Sequence, residues 1–392
     1  MLGAVANKDS SSIIQQVDDI IITAVARNAS DIHLETHLTI FLVRFRIDGI
    51  LYDYQRINSI YSLQIISRIK ILAHINIAEK RLPQDGKFQI NFKNNIIDLR
   101  VSTFPAFYGE KIVIRILDRV NHSIALDNLG FQHDILSKFT QLINHACGFV
   151  LVTGPTGSGK TTTLYAALKT INNAEKHIIT LEDPVEYHVE GVTQGQIHPE
   201  AGFTFEKGIR ALLRQDPDIA MVGEIRDQQT AHIAIEAALT GHLVFSTLHT
   251  NGAPEAIMRL MDMGIEPFLI NASVTGILAQ RLARKICIHC RIEYVPTADE
   301  QNILKKLPLT IETVYKGKGC EHCFNLGHKG RVGIFELLLM NDAMRSLIIK
   351  QPIFESIHKQ AIAHGMQTLL HDAAYKVAHG IISLAELMRI IL

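Results

Sequence analysis

The stretch that decides the fold is GPTGSGKTT, made of Gly154, Pro155, Thr156, Gly157, Ser158, Gly159, Lys160, Thr161 and Thr162. It fits the pattern G-x-x-x-x-G-K-[ST], with the apolar run 149–152 before it and a helix-like segment, 162–170, after it. In this pattern, backbone N–H groups of a glycine-rich turn surround phosphate oxygens, and the dipole of the next helix favours anions. Lys160 would reach the β- and γ-phosphates, and the Thr161 hydroxyl would ligate Mg²⁺. The stretch therefore predicts a binding site for a nucleoside triphosphate with its magnesium ion.

The composition is typical of a folded globular chain without a charge bias. Hydrophobic residues make up 47% of the 392 residues and charged residues 20%, which is enough apolar material for two or three domains. Lysine plus arginine and aspartate plus glutamate both number 39, so the formal net charge is zero. A general nucleic-acid binder needs a basic surplus, so the composition argues against that class.

No segment of the sequence predicts secretion or a membrane span. Residues 1–12 lack a cationic start followed by a long apolar stretch. Apolar runs such as 20–26 are bounded by charged residues, here Asp19 and Arg27, well short of the ~18 residues that a spanning helix needs. We therefore expect a cytoplasmic protein that reaches a membrane through a partner.

Residues 1–118 are predicted to form a smaller α+β domain. Residues 12–28 have the apolar spacing of a helix. The segments 88–92 and 97–101 alternate apolar and polar side chains on either side of a turn, which predicts a β-hairpin. Residues 119–130 lose this periodicity and are predicted to be a linker.

Residues 131–392 are predicted to form a larger α/β domain. Short apolar runs at 177–181, 219–222 and 243–246 are separated by helical segments. This alternation is typical of a parallel sheet with crossover helices. The region 340–392 has helical spacing to its end. The fold class is therefore α/β, with a smaller α+β domain in front.

Polar residues follow the three apolar runs, at the strand ends where a doubly wound sheet binds its ligands. Glu182 and Glu186 come after the first run, Glu224 after the second and His249 after the third. A phosphate-binding loop needs a carboxylate near its metal ion and a group that orients the attacking water, and these residues are candidates for both roles. Acids that cap helices and a structural histidine are the alternative interpretation.

Four segments, taken in order, resemble those of a known family. They are GPTGSGKTTTLY (154–165), ITLEDPVEY (179–187), LRQDPDIAMVGEIRD (213–227) and STLHTN (246–251). The set closely resembles the type II secretion and type IV pilus assembly ATPases, a branch of the secretion ATPase superfamily. The resemblance extends from Ser30 to the C-terminus. It implies a RecA-like P-loop ATPase domain, preceded by an N2 domain of the PAS-like type.

The same resemblance implies roles for the polar residues at the strand ends. Glu182 or Glu186 would polarise the attacking water, and Glu182 is favoured because it comes first after its strand. Glu224 stands at the Walker B position and would hold Mg²⁺ directly or through a water molecule. His249 stands in the family's His box and is implied to be functional.

The resemblance also implies a function for the N-terminal α+β domain, residues 1–118. Arg100 and Arg115 match arginines that reach the nucleotide's phosphates, where a guanidinium neutralises transition-state charge. Alternation along the strands alone would let both simply face solvent. The resemblance also implies a homo-hexamer that hydrolyses ATP and acts on an inner-membrane platform protein during pilin or pseudopilin assembly. The protein would attach to the membrane peripherally, through such partners. No nucleic acid is expected as a partner.

Four of the five cysteines form two C-x-x-C pairs with 29 residues between them: Cys287, Cys290, Cys320 and Cys323. This spacing suits a tetrahedral Zn²⁺ site in an insertion, 284–330, that lacks a core of its own. Free thiols, two disulfides, or a shell in which His289 or His322 replaces a thiolate are the alternatives. The remaining Cys147 precedes an apolar strand and is predicted to be inert core. The retraction ATPases of the superfamily lack this insertion, so it favours assembly or secretion.

Type II secretion and type IV pilus ATPases share every motif quoted above, so the sequence favours neither pathway. Family members usually carry a further N-terminal domain that docks the motor, and we expect it to be missing because SDIHLE begins at residue 30. A nucleotide-binding relic or regulatory subunit is an alternative function. A nucleic-acid translocase is less favoured, since no basic, aromatic-interleaved stretch occurs.

Overall fold

The computed structural model describes residues 12–117, 124–350 and 352–391. The chain divides into two compact units, with the boundary between residues 122 and 123. Most of the N-terminal segment 1–12, and residues 119–123 of the predicted linker, lie outside the described residues. The rest of that linker contains a short 3₁₀ turn, Leu126–Leu129.

The first unit is a six-stranded antiparallel sheet with two helices. Its elements are α1 (Ile13–Ala26), β1 (Ala29–Thr36), β2 (Ile40–Ile47), β3 (Ile50–Asn58), α2 (Ser62–Leu72), β4 (Gln84–Phe92), β5 (Asn95–Ala106) and β6 (Gly109–Leu117). The sheet order is β3-β2-β1-β6-β5-β4. The predicted first helix is confirmed as α1, and the predicted hairpin is confirmed as β4–β5.

Alternation along the strands gives this sheet two different faces. Leu34, Val43 and Phe45 are among the buried apolar side chains, while α1 contacts β1 and α2 contacts β4. On exposed positions of the sheet, Arg100 of β5 lies directly opposite Arg115 of β6 in the register. Both predicted arginines therefore lie next to each other on adjacent strands of one sheet.

The second unit is a seven-stranded sheet with helices on both faces and a small two-stranded sheet. Its elements are α3 (His133–Ile143), β7 (Gly148–Thr153), α4 (Lys160–Ile171), β8 (Ile178–Glu182), β9 (Val192–Gln196), α5 (Phe205–Leu212), β10 (Ile219–Val222), α6 (Gln228–Leu239), β11 (Leu243–Leu248), α7 (Ala253–Asp262), α8 (Pro267–Ser273), β12 (Val274–Ile286), β13 (Arg291–Tyr294), α9 (Ala298–Leu304), β14 (Val314–Gly317), β15 (His328–Leu339), α10 (Asp342–Lys350), α11 (Phe354–Ala363), α12 (Leu369–Ala378) and α13 (Leu384–Ile391).

The large sheet has the order β15-β12-β7-β11-β10-β8-β9. Every neighbouring pair from β12 to β9 is parallel, and β15 pairs antiparallel with β12. Strands β7, β8, β10 and β11 are buried along their whole length, as expected when helices cover both faces of a sheet. The prediction of an α/β fold with a parallel-rich sheet is confirmed, and so is the helical C-terminal region, as α10 to α13.

The prediction for Cys147 is wrong. Its side chain is exposed in the turn between α3 and β7, and burial begins with Gly148. Among the described residues, no helix is both long and apolar enough to cross a membrane.

A buried carboxylate fastens the last helix to the large sheet. Glu386 of α13 is fully buried and accepts hydrogen bonds from Arg284 of β12, whose Nη2 lies 2.6 Å from Oε2, and from Arg389, whose Nη2 lies 2.6 Å from Oε1. Burial alone would raise the pKa of the Glu386 carboxyl, but hydrogen bonds from Arg389 and Arg284 lower that pKa from 4.5 to about 2.

We expect Glu386→Gln to destabilise the second unit by about 3 kcal/mol at pH 7, because two guanidinium groups lose their carboxylate. Since the folded-state pKa is depressed, this contribution is complete above pH 4.5 and is lost as the pH falls toward 2. Urea unfolding at several pH values measures it, with the exposed Glu200→Gln as control. A variant whose free energy of unfolding matches the wild type at pH 7 would contradict the prediction.

Candidate active site

The phosphate-binding loop lies between the end of β7 and the start of α4, as the motif requires. Gly154, Gly157 and Gly159 adopt positive φ angles of 148°, 79° and 89°. A Cβ on Gly154 would lie 2.4 Å from the carbonyl oxygen of Gln280 on β12, so a larger residue does not fit there. The backbone thus forms a tight turn pressed against a neighbouring strand.

Lys160 is the first residue of α4, and its side chain curls back over the loop. Its Nζ donates to the carbonyl oxygens of Gly154 (2.7 Å) and Pro155 (3.2 Å). Burial lowers the pKa of the Lys160 ammonium, and the charge of Glu224 acts in the opposite direction. Thr161 is exposed and Thr162 half-buried in the first turn of the helix, where the helix dipole favours phosphate.

Two polar residues of β12 were not predicted from the sequence: Gln280 contacts this loop, and Arg281 contacts the segment after β11. The buried Gln280 donates from Nε2 to the carbonyl oxygen of Ser158 (2.7 Å) and accepts from Thr163 Oγ1 (2.7 Å). Arg281 donates to the carbonyl oxygen of Asn251 (2.7 Å) in the segment after β11. The sequence feature that could have revealed them is a polar pair, glutamine and arginine, inside the otherwise apolar run 277–283. One strand therefore contacts both the phosphate-binding loop and the segment after β11.

Glu224 and His249 meet at the carboxyl ends of the neighbouring strands β10 and β11. Nε2 of His249 lies 3.5 Å from Oε2 of Glu224, and the other oxygen of Glu224 contacts the exposed Arg226. Thr247 Oγ1 donates to the carbonyl oxygen of Gly223 (2.7 Å) and joins the two strand ends. The parallel sheet thus brings two predicted site residues together at the edge where the loop of Lys160 begins.

The segment after β11 is also tied to β7. Oγ1 of Thr250 lies 2.7 Å from Oγ1 of Thr153, the last residue before the phosphate-binding loop, and the N–H of Thr250 donates to the same hydroxyl (2.9 Å). This pair holds His249 beside the loop. Neither Thr153 nor Thr250 was predicted from the sequence as a site residue.

The two glutamates after β8 have different surroundings. Glu182 is the last residue of β8, has 3% of its surface exposed and contacts Tyr165 of α4 and Thr180. Glu186 lies exposed in the segment 183–191 that joins β8 to β9. The structure therefore places one predicted acid in the interior and the other in solvent.

Arg100 and Arg115 belong to the first unit, where both are exposed. With Lys87 they line a groove of about 620 Å³ on the sheet. Nε of Arg115 lies 3.1 Å from Oδ1 of the buried Asp31. That contact orients one guanidinium, and the groove is rich in positive charge.

The four cysteines of the C-x-x-C pairs converge at the end of β12. Their sulfur atoms all lie within 4.8 Å of one another: Cys287, Cys290, Cys320 and Cys323. Three of the sulfur pairs are 3.7, 3.8 and 3.9 Å apart, so the thiols are not joined as disulfides. Zn–S bonds of about 2.3 Å at a tetrahedral centre place sulfurs about 3.8 Å apart, so the cluster fits such a metal ion.

The surrounding backbone also suits thiolates. N–H groups of Gly319 and Gly327 each donate to a cysteine sulfur at 3.3 Å, to Cys290 and Cys323 respectively. Burial raises the pKa of the Cys290 thiol to about 12, whereas at Cys323 the N–H donors from Cys320 and Gly327 outweigh burial and lower the pKa of the thiol to about 7. The rings of His289 and His322 stack on each other with centroids 4.0 Å apart. The cysteines can therefore hold a metal ion without either histidine.

Comparisons with known proteins identify the family of the chain. Residues 6–389 match the family described as "Type II/IV secretion system protein". The chain is 44% identical to the type II secretion system protein E of Pseudomonas aeruginosa over 383 residues, which is 98% of this chain and 76% of that protein. It is 45% identical to the type IV pilus assembly ATPase PilB of Thermus thermophilus over 97% of this chain and 43% of that protein.

Solved structures show the same fold. A crystal structure of the pilus retraction motor PilT with bound ADP is 27% identical and covers 95% of both chains, with a TM-score of 0.62. The ATPase DotB of Yersinia pseudotuberculosis is 21% identical and has a TM-score of 0.73 over 99% of this chain and 96% of that one. Because the family match spans nearly the whole sequence, this chain belongs to the type II/IV secretion system protein family.

Proposed function

We propose that this protein is a motor that hydrolyses ATP to drive pilin or pseudopilin assembly in a type IV pilus or a type II secretion system. The observation that carries the proposal is the convergence of the phosphate-binding loop, Glu224 and His249 at one edge of a parallel sheet. The relatives named as a type II secretion protein and a pilus assembly ATPase supply the biological setting.

In this proposal each site residue has a separate role in ATP hydrolysis. The loop N–H groups and Lys160 bind the β- and γ-phosphates, where a fixed positive charge stabilises the charge that develops during transfer. Thr161 and Glu224 would hold Mg²⁺, which neutralises phosphate charge when bound. His249, which follows β11 and lies 3.5 Å from Glu224, would contact the same reacting group. Glu182 and Glu186 are the two acids that the family resemblance offers for orienting the attacking water.

The four cysteines would hold Zn²⁺ in a structural role. The four thiolates would fill all four positions of a tetrahedral shell, which would leave no open position for substrate. The insertion around them contains two short strands, β13 and β14, and one short helix, α9, so a metal ion supplies the stability that a small core cannot.

The motor would act as a homo-hexamer in the cytoplasm, attached peripherally to the inner membrane through a platform protein of the secretion or pilus system. Its formal net charge of zero fits a protein ligand better than nucleic acid. Turnover of ATP in the presence of the purified cytoplasmic domain of the platform protein tests this part of the proposal. Stimulation by DNA instead would favour a translocase.

We expect Arg100→Ala and Arg115→Ala each to lower kcat at least about a hundredfold, because the family resemblance assigns both guanidinium groups to the nucleotide's phosphates, where they would neutralise transition-state charge. Affinity for ADP should remain nearly unchanged, since the charge in question develops on the transferred group. Steady-state phosphate release and fluorescent ADP binding measure the two quantities. Lys93→Ala, in the turn between β4 and β5, removes a charge from the same unit and serves as control. Full activity in both arginine variants would contradict a role at the phosphates.

A further inference from the structure

Three side chains donate to the carboxylate of Glu182, from three different elements. The hydroxyl of Tyr165 on α4 contacts Oε2, Thr180 Oγ1 on β8 lies 2.5 Å from Oε1, and Gln194 Nε2 on β9 lies 3.2 Å from Oε1. Tyr165 and Thr180 are fully buried. Burial and this hydrogen bond to Glu182 both raise the pKa of the Tyr165 hydroxyl, so it stays a donor. Glu182 is thus the acceptor at the centre of a buried network.

The network continues into the segment 183–191, which carries Glu186. Gln194 Nε2 also donates to the carbonyl oxygen of Tyr187 (3.1 Å), and its Oε1 accepts from the N–H of Val189 (2.8 Å). The rings of Tyr165 and Tyr187 meet edge to face with centroids 4.6 Å apart. Through these contacts the same glutamine that reaches Glu182 holds the backbone of the segment on both sides of His188.

A water-activating base must present a free oxygen to a water molecule near the γ-phosphate. Glu182 does not, because both of its oxygens are engaged by donors of the protein interior and 3% of its surface is exposed. The helix that supplies Tyr165 is the helix that begins with Lys160 and Thr161. Glu182 therefore joins the phosphate-binding helix to the segment of Glu186.

We propose that Glu182 is a positioning residue, which together with Tyr165 and Gln194 fixes the segment of Glu186 relative to α4. Glu186, exposed in that segment, is then the acid left to face water. The expected effect on kcat rests on the proposed ATP hydrolysis. The expected fixing of the segment 183–191 does not.

The kinetic test compares Tyr165→Phe, Glu182→Gln and the double variant in the full-length protein. Because the two residues share one hydrogen bond, we expect each single variant to lower kcat about tenfold and the double variant to lower it no further. The KM for ATP should stay within about twofold, since the phosphate contacts of α4 are kept. Tyr294→Phe, which removes a tyrosine–glutamate hydrogen bond from the cysteine insertion, is the matched control.

Wild-type kcat in Tyr165→Phe, together with complete loss of hydrolysis in Glu182→Gln, would show that Glu182 is the base and overturn the proposal. A purely structural role would show as a lower melting temperature together with a fall in kcat and an equal rise in KM. This result would also overturn the proposal.

A second measurement does not need turnover. Amide hydrogen exchange in the segment 183–191 should quicken at least about tenfold in Tyr165→Phe and in Glu182→Gln, and stay at the wild-type rate in Tyr294→Phe. Unchanged exchange in both variants would overturn the positioning role. A wild-type protein without ATPase activity would instead refute the proposed function, while the exchange result would still decide the role of Glu182.

Discussion

Glu224→Gln is expected to lower ATP turnover about 10²–10³-fold while the protein still binds ATP. The substitution keeps the size of the side chain but removes the negative charge that would hold Mg²⁺ and that now contacts His249 and Arg226. Binding persists because the N–H groups of the loop and the ammonium of Lys160 are unchanged. Phosphate release and equilibrium binding of a fluorescent ATP analogue separate the two effects.

The matched control for this variant is Glu190→Gln, a glutamate exposed in the segment after β8. It removes the same charge from the same unit and should keep wild-type turnover. If Glu224→Gln hydrolyses ATP as fast as the control does, the Mg²⁺ ligand and the catalytic site lie elsewhere.

Loss of one cysteine from the metal cluster should have the second large effect. Cys323→Ser removes a sulfur that lies 3.8 Å from that of Cys290 and 3.7 Å from that of Cys320, so three thiolates remain for a tetrahedral ion. Structural zinc sites contribute roughly 10–16 kcal/mol of apparent binding free energy, and much of this is folding free energy of the insertion. We expect a purified chain to contain one Zn²⁺, and the variant to lose it and melt at a lower temperature.

Cys147→Ser is the control, because Cys147 is an exposed thiol outside the cluster. It should keep both the zinc content and the melting temperature. Metal analysis and thermal unfolding with and without a chelator measure the effect. A wild-type protein that contains no metal, or that melts at the same temperature after chelation, would contradict the zinc assignment.

Some parts of the site could be predicted because their determinants are local in the sequence. The phosphate-binding loop is one continuous motif, and its glycines Gly154, Gly157 and Gly159 adopt the positive φ angles that glycine tolerates. Each cysteine pair is likewise a short local turn. Glu224 and His249 each follow an apolar run that predicts a parallel strand. Because parallel strands end at the same edge of a sheet, the order of these runs was enough to predict that the two side chains lie near each other.

The residues that were missed act through partners that are distant in the sequence. Gln280 contacts Thr163 across 117 residues, and the polar pair inside the apolar run 277–283 does not show which distant segment it contacts. Tyr165 looks like an ordinary helix residue until β8 brings Glu182 beside it. For the same reason order along the chain favoured Glu182 as the base, whereas its burial, which the sequence does not show, supports the positioning role that we propose. Cys147 was misplaced because an apolar strand after a residue does not show where burial begins.

The most direct test of the motor is phosphate release from ATP by the purified, zinc-loaded chain, with and without the cytoplasmic domain of the platform protein, and with Glu224→Gln as the blank. We predict turnover that rises when the domain is added and that is about 10²–10³-fold lower in the variant. Tight ATP binding without turnover under any condition of assembly would contradict the motor and favour a regulatory nucleotide-binding subunit.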